Sequence, residues 1–155
     1  MPQAPNPVKI YETPSSEPES KTHVLWVSRH APLPSQIKAL EGKLGAIVIY
    51  QLSGVVPNAE FVVEKAKELG AKYIVPVLPL SFIARLVEAG RKNGFVILFA
   101  RMEAIAQTDP DTAKRLVNEA PDRRTMTTYA DGTVKVHEFK GFEKVVKVQI
   151  ITEPW

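Results

Sequence analysis

Ser28, Arg29 and His30 stand together where the apolar run Val24-Leu25-Trp26-Val27 breaks off. A guanidinium presents a planar fork of donors that can hold phosphate or carboxylate by two bonds at once. An imidazole titrates near neutrality, so it can move a proton or donate to an anion. Similar changes from apolar to polar come at Gln51 and Ser53, at Pro79 and Ser81, and at Arg101 and Glu103. A small anionic ligand, a nucleotide or a phosphate-like group, is what Ser28, Arg29, His30, Ser53, Ser81, Arg101 and Glu103 could bind if they met. Proton transfer by His30 and Glu103 would extend that to hydrolysis or transfer of a phosphate ester. Each residue also has a plainer use. The His30 ring N–H can cap the turn made by Pro32 and Pro34, Arg101 can pair with Glu103, and Arg29 can point to solvent. The three serines have no base beside them in the chain.

What would bring these residues together is an open parallel sheet, whose ligands sit at the carboxyl ends of the strands. Four strand-then-helix units follow one another. The strands are read at Val24–Val27, Ala46–Leu52, Tyr73–Leu78 and Phe95–Ala100. Helices follow from Pro34, from Pro57-Asn58, from the region of Pro79 and Ser81, and from Asp109-Pro110-Asp111. The last has a capping carboxylate, a proline and an acid at the positive helix end. Gly45, Gly70 and Asn93-Gly94 are helix stops, and Pro121 ends the fourth helix. Pro76 cannot donate to a ladder, so the third strand must carry a bulge or an unpaired edge there. Thr125–Tyr129 and Thr133–Phe139 flank Asp131-Gly132 as a hairpin. Phe142–Ile151, with Val146, Val148 and Ile150 on one face, reads as a further strand with one wet side.

The fold expected is α/β. It is a three-layer Rossmann-like sandwich with a mainly parallel sheet of about four parallel strands and C-terminal antiparallel hairpin or edge strands. Residues 1–21 hold five prolines and few bulky apolar groups, so they read as a disordered or extended tail before a single domain over 22–155. Within that tail Val8-Lys9-Ile10-Tyr11 alternates as an edge strand would.

Several site types are excluded. After the first strand the chain reads S-R-H-A-P-L-P-S, so the glycines that let backbone approach a pyrophosphate are missing, and no Walker loop occurs. Receiver-domain aspartates are absent from the first and third strand ends. The three histidines are dispersed, with no pair at helical spacing for zinc, so neither a metal nor a cofactor is implied. Val27-Ser28-Arg29-His30-Ala31-Pro32 resembles the opening motif of the histidine phosphatase superfamily. The resemblance implies a phosphorylated His30 and a phosphate-holding Arg29. That family also uses a second histidine at a later strand end, whereas the only later one here, His137, falls in the expected hairpin.

The chain has 155 residues, 45% hydrophobic and 24% charged, which suits an ordinary globular domain. No apolar run approaches the roughly 18 residues of a membrane span, so no membrane partner is expected. With no cysteine, disulfides and thiolate sites are excluded, and a cytoplasmic location is the default. The net charge of +3 is too mild to announce nucleic-acid binding. Arg85, Arg91, Lys92, Lys114, Arg115, Arg123 and Arg124 could still form a phosphate-contacting surface, and Tyr129, Phe139, Phe142 and Trp155 a core or a homodimer interface. The leading expectation is a non-catalytic or weakly catalytic domain that binds a small anion. A His30-dependent phosphate-ester enzyme, or a protein or nucleic-acid interaction module, are the alternatives.

Overall fold

The computed structural model describes residues 5–14 and 21–155. Its strands are β1 (Val8–Glu12), β2 (Thr22–Val27), β3 (Ile47–Leu52), β4 (Tyr73–Pro76), β5 (Val96–Thr108), β6 (Arg124–Thr128) and β7 (Val134–Lys144). Its helices are α1 (Pro34–Leu44), α2 (Ala59–Leu69), α3 (Leu80–Lys92) and α4 (Pro110–Glu119). The protein is therefore α/β, with a mixed seven-stranded sheet in the order β1-β3-β2-β4-β5-β7-β6. The stretch β3-β2-β4-β5 is parallel throughout. β1 joins it antiparallel to β3, and β6 pairs antiparallel with β7. The chain packs into two compact units: Met1–Ala31, Leu44–Phe99 and Glu143–Trp155, and then Pro32–Lys43 with Ala100–Phe142.

In the first unit, Val24 to Val27, Ile47 to Ile49 and Ile74 to Val75 are all buried, as continuous apolar strands of a covered parallel sheet should be. Leu25, Leu52 and Ile74 pack with Val62, Ala66, Ile83, Leu86 and Ile97 in one cluster. Each of these leucine, isoleucine and valine side chains contributes on the order of 2 kcal/mol by leaving water. α2 turns Ala59, Val62, Val63 and Ala66 inward. It begins at Asn58, whose side chain accepts the Phe61 N–H at 2.8 Å, and it ends at Gly70 with φ +67°. α3 packs on α2 and comes close to β5, where a Cβ on Gly90 would lie 3.2 Å from Ile97 Cδ1. β1 runs along β3 with a register shift between Lys9 and Tyr11. Lys21 and Lys9 both pair with its Glu12, at 2.7 and 3.0 Å.

In the second unit, Val134 and Val136 of β7 pack with Ala113 of α4. Asp109 caps α4 by accepting the Thr112 N–H at 2.9 Å. Glu138 of β7 faces Arg124 of β6 across the ladder and accepts from its Nε at 2.8 Å. Lys140 and Arg123 also bond to this carboxylate.

Four expectations need correction. β5 does not stop at Ala100: it runs to Thr108, so Arg101 and Glu103 lie within a strand rather than beyond its end. The polar triplet there lies where the strand has lost its cover, since every residue of β5 after Ile97 is half-buried or exposed. The hairpin turn is longer than two residues. Tyr129 N–H donates to Thr133 O at 2.8 Å, and only Gly132 takes positive φ, +88°. The strand expected over Phe142–Ile151 exists only as the end of β7, to Lys144. Beyond it Val145 N–H reaches Ile97 O at 2.8 Å and Val148 packs on the core, while Ile150 and Ile151 are exposed. Finally, β4 ends at Pro76, and its pairing with β5 is confined to Tyr73↔Val96 and Ile74↔Ile97, as a residue without an N–H requires. The tail expected over residues 1–21 lies partly outside the described residues. Val8–Glu12 within it is the strand β1.

Candidate functional site

The parallel strands appear in the chain as β2, β3, β4, β5 but lie side by side as β3-β2-β4-β5. From β2 the chain moves to one neighbour, β3; from β4 it moves to the opposite side, β5. The carboxyl ends of β2 and β4 therefore flank a topological switch point, where crevices form in such sheets. Val27 O accepts the Val77 N–H at 2.9 Å and closes the floor between them.

Immediately above this floor the chain turns at Ser28-Arg29-His30, and three hydrogen bonds hold the turn. The Ser28 hydroxyl accepts the His30 N–H at 3.0 Å. The Trp26 indole N–H donates to His30 O at 2.9 Å, and the Gln51 side-chain amide donates to Ser28 O at 3.0 Å. Trp26 and Ser28 are buried, and Arg29 and His30 are exposed. The backbone is thus fixed by its neighbours, while the Arg29 and His30 side chains have no hydrogen-bond or ion-pair partner among the described residues.

These side chains border a cleft of about 470 Å³, in the range of small-molecule sites. Val27 and Leu52 form its base. One wall is Gly54-Val55-Val56 after β3, and the other is Val77-Leu78-Pro79 after β4 together with Phe82 of α3. Gly54 takes φ +100°, a backbone conformation that favours glycine. α3 starts after Pro79 with no side-chain cap, in contrast to α2 and its Asn58. Val55 is 82% exposed and Val77 52%, so apolar surface remains open to solvent at the cleft mouth.

Of the residues singled out from the sequence, Ser28, Arg29 and His30 line this cleft. Ser53 and Ser81 are exposed neighbours of lining residues and do not line it themselves. Arg101 and Glu103 belong to the other unit. There Arg101 donates to Glu103 at 2.5 Å, and this bond holds the Glu103 carboxyl below its ordinary range. Such a carboxylate is a weakened proton acceptor. His137 lies in β7, also in that unit.

Sequence reasoning missed the apolar walls and the role of Trp26. A signal for part of the walls existed: Val55 follows Gly54 in no periodic element that could take it into a core, and it is exposed, whereas Val56 packs on the core. The basic groups are partly engaged by the protein itself. Arg85 pairs with Glu60 at 3.3 Å, Arg91 donates to Val146 O, and Arg123 and Arg124 share Glu138. Among the described residues no helix is long and apolar enough to cross a membrane. No family model, no curated protein and no solved structure matches the chain.

Proposed function

We propose that this protein binds a small anionic ligand in the cleft at the carboxyl ends of β2, β3 and β4. Arg29 grips the anionic group, and His30 donates a further hydrogen bond. The observation that carries the reading is the contrast within one turn. Its backbone is held by Ser28, Trp26 and Gln51, and its two cationic-type side chains have no partner among the described residues at the edge of a cleft. A guanidinium carried on a fixed backbone, with no partner among the described residues, keeps its capacity to bind an anion. The uncapped first turn of α3 adds favourable potential at the same end of the sheet.

The three-layer Rossmann-like sandwich belongs to the same proposal. It rests on the order β3-β2-β4-β5 and on the right-handed rule for crossovers between parallel strands. So do a cytoplasmic setting and self-association through the open edge of β1, where Val8 and Ile10 are exposed.

The test is a thermal-shift and calorimetric screen of the full chain with inorganic phosphate, nucleotides and phosphate esters, repeated on Arg29→Ala. Arg29 is exposed and has no partner among the described residues, so the substitution should leave the ligand-free melting temperature within about 2 °C. It should weaken anion binding by about 10- to 100-fold, the worth of a charge-assisted hydrogen bond. Equal binding by wild type and Arg29→Ala, or no response to any anion, would remove the proposal.

A further inference from the structure

Resting on the reading above, we propose that the cleft is built for a single-headed amphiphile: one anionic group, a carboxylate or phosphate monoester, on an apolar body. The cleft lining offers one guanidinium and one imidazole, from Arg29 and His30, and neither lysine nor carboxylate. A polyphosphate needs more positive charge, or a cradle of free backbone N–H groups. At the cleft the His30 N–H is already taken by Ser28 Oγ, and in the first turn of α3 the Phe82 N–H is taken by Pro79 O. A ribose and a base need polar partners for their hydroxyls and edges. Apart from Ser28, Arg29 and His30, the lining side chains are all apolar or glycine.

The same composition suits an alkyl or aryl group. Val55 and Val77 expose most or half of their surface at the mouth, and Val56, Leu78 and Phe82 line the walls between them and the base. An apolar body lying between the two walls would cover this surface while its head reached Arg29. The volume of about 470 Å³ lies in the usual range of small-molecule sites and leaves room for an apolar body beside the anionic head.

The experiment is isothermal titration of the full chain, below micelle-forming concentrations, with hexanoate, octanoate, decanoate and octyl phosphate. Decanol, AMP, ATP and inorganic phosphate complete the panel. Affinity should rise about three- to fourfold per added methylene from hexanoate to decanoate. Octyl phosphate should bind at least about tenfold tighter than AMP or ATP, and Arg29→Ala should lower its affinity by about tenfold or more. Val77→Trp should fill the cleft and abolish alkyl binding with the melting temperature retained. If that variant does not fold, Val55→Trp, at a still more exposed position, takes its place. Tighter, Arg29-dependent binding of AMP or ATP would overturn the amphiphile class and leave anion binding standing. Alkyl binding that ignores both Arg29→Ala and the tryptophan variants, or that decanol reproduces, would also overturn it. Silence from every anion would remove both readings together.

Discussion

The Ser28–His30 turn is gripped at both ends of one residue's backbone, and removing the grips singly and together tests whether they act as a unit. Ser28→Ala leaves the part-buried His30 N–H without its acceptor at 3.0 Å, which should cost about 1 kcal/mol. Trp26→Phe removes the indole donor to His30 O at 2.9 Å together with several buried ring carbons of a residue only 2% exposed. Adding a lost hydrogen bond to a small cavity gives about 2–3 kcal/mol. For a chain of 155 residues each kcal/mol lowers the melting temperature by about 3 °C. Once one grip is gone the turn relaxes, and the second has less to hold. The double variant should therefore fall short of the summed losses by about 0.5–1 kcal/mol. Urea denaturation followed by far-UV circular dichroism measures all four proteins without relying on tryptophan emission. Octyl phosphate affinity should fall several-fold in each single variant, because Arg29 is no longer presented from a fixed backbone. Losses that add to within about 0.3 kcal/mol, with the affinity unchanged, would refute the claim that these bonds position the site.

Three further outcomes follow from the two units. Glu138 is held down to about 2, first by the Lys140 ammonium and then by the Arg124 guanidinium, and Glu12 to about 2 by Lys21 and Lys9. A depressed carboxyl stabilises the folded state fully above its unfolded value near 4.5 and loses that contribution as pH falls towards 2. The melting temperature should drop across that window, and Glu138→Gln, already less stable at pH 7, should converge with wild type near pH 2; parallel curves would contradict the assignment. Gly70→Ala should cost about 1 kcal/mol in chemical denaturation, because φ is +67° and nothing within 4 Å of the added Cβ supplies a clash or a contact. Leu25→Ala, at a site with 0% exposure in the first unit's core, should cost about 3–4 kcal/mol in the same assay.

Most of the element order was legible because the local signals agreed with one another. Asn58 and Gly70 bracket α2, Asp109 and Pro110 open α4, and the parallel strands are near-continuous apolar runs. The extent of β5 was not legible. A strand that loses its cover after Ile97 changes its composition midway, and Arg101-Met102-Glu103 then imitates a strand end. The same ambiguity inflated the final segment, where Val146 and Ile150 alternate like a strand but find no ladder beyond Lys144.

The candidate site divides along the same line. Its polar half could be read from four apolar residues followed by Ser28, Arg29 and His30, since a strand that ends abruptly must end in whatever faces water. Its apolar half could not, because nothing local to Val55, Val77 or Phe82 says that they border the same cleft. That follows only from strand order. β2 hands the chain to β3 and β4 hands it to β5, so the connections leaving β2 and β4 part in opposite directions and leave the crevice between them unfilled. A sheet ordered β2-β3-β4-β5 would send every connection the same way and cover this end, although each segment kept its own propensities. The binding proposal is thus a statement about topology before it is one about Arg29: the guanidinium borders a cleft only because the chain reverses its direction of travel beside it.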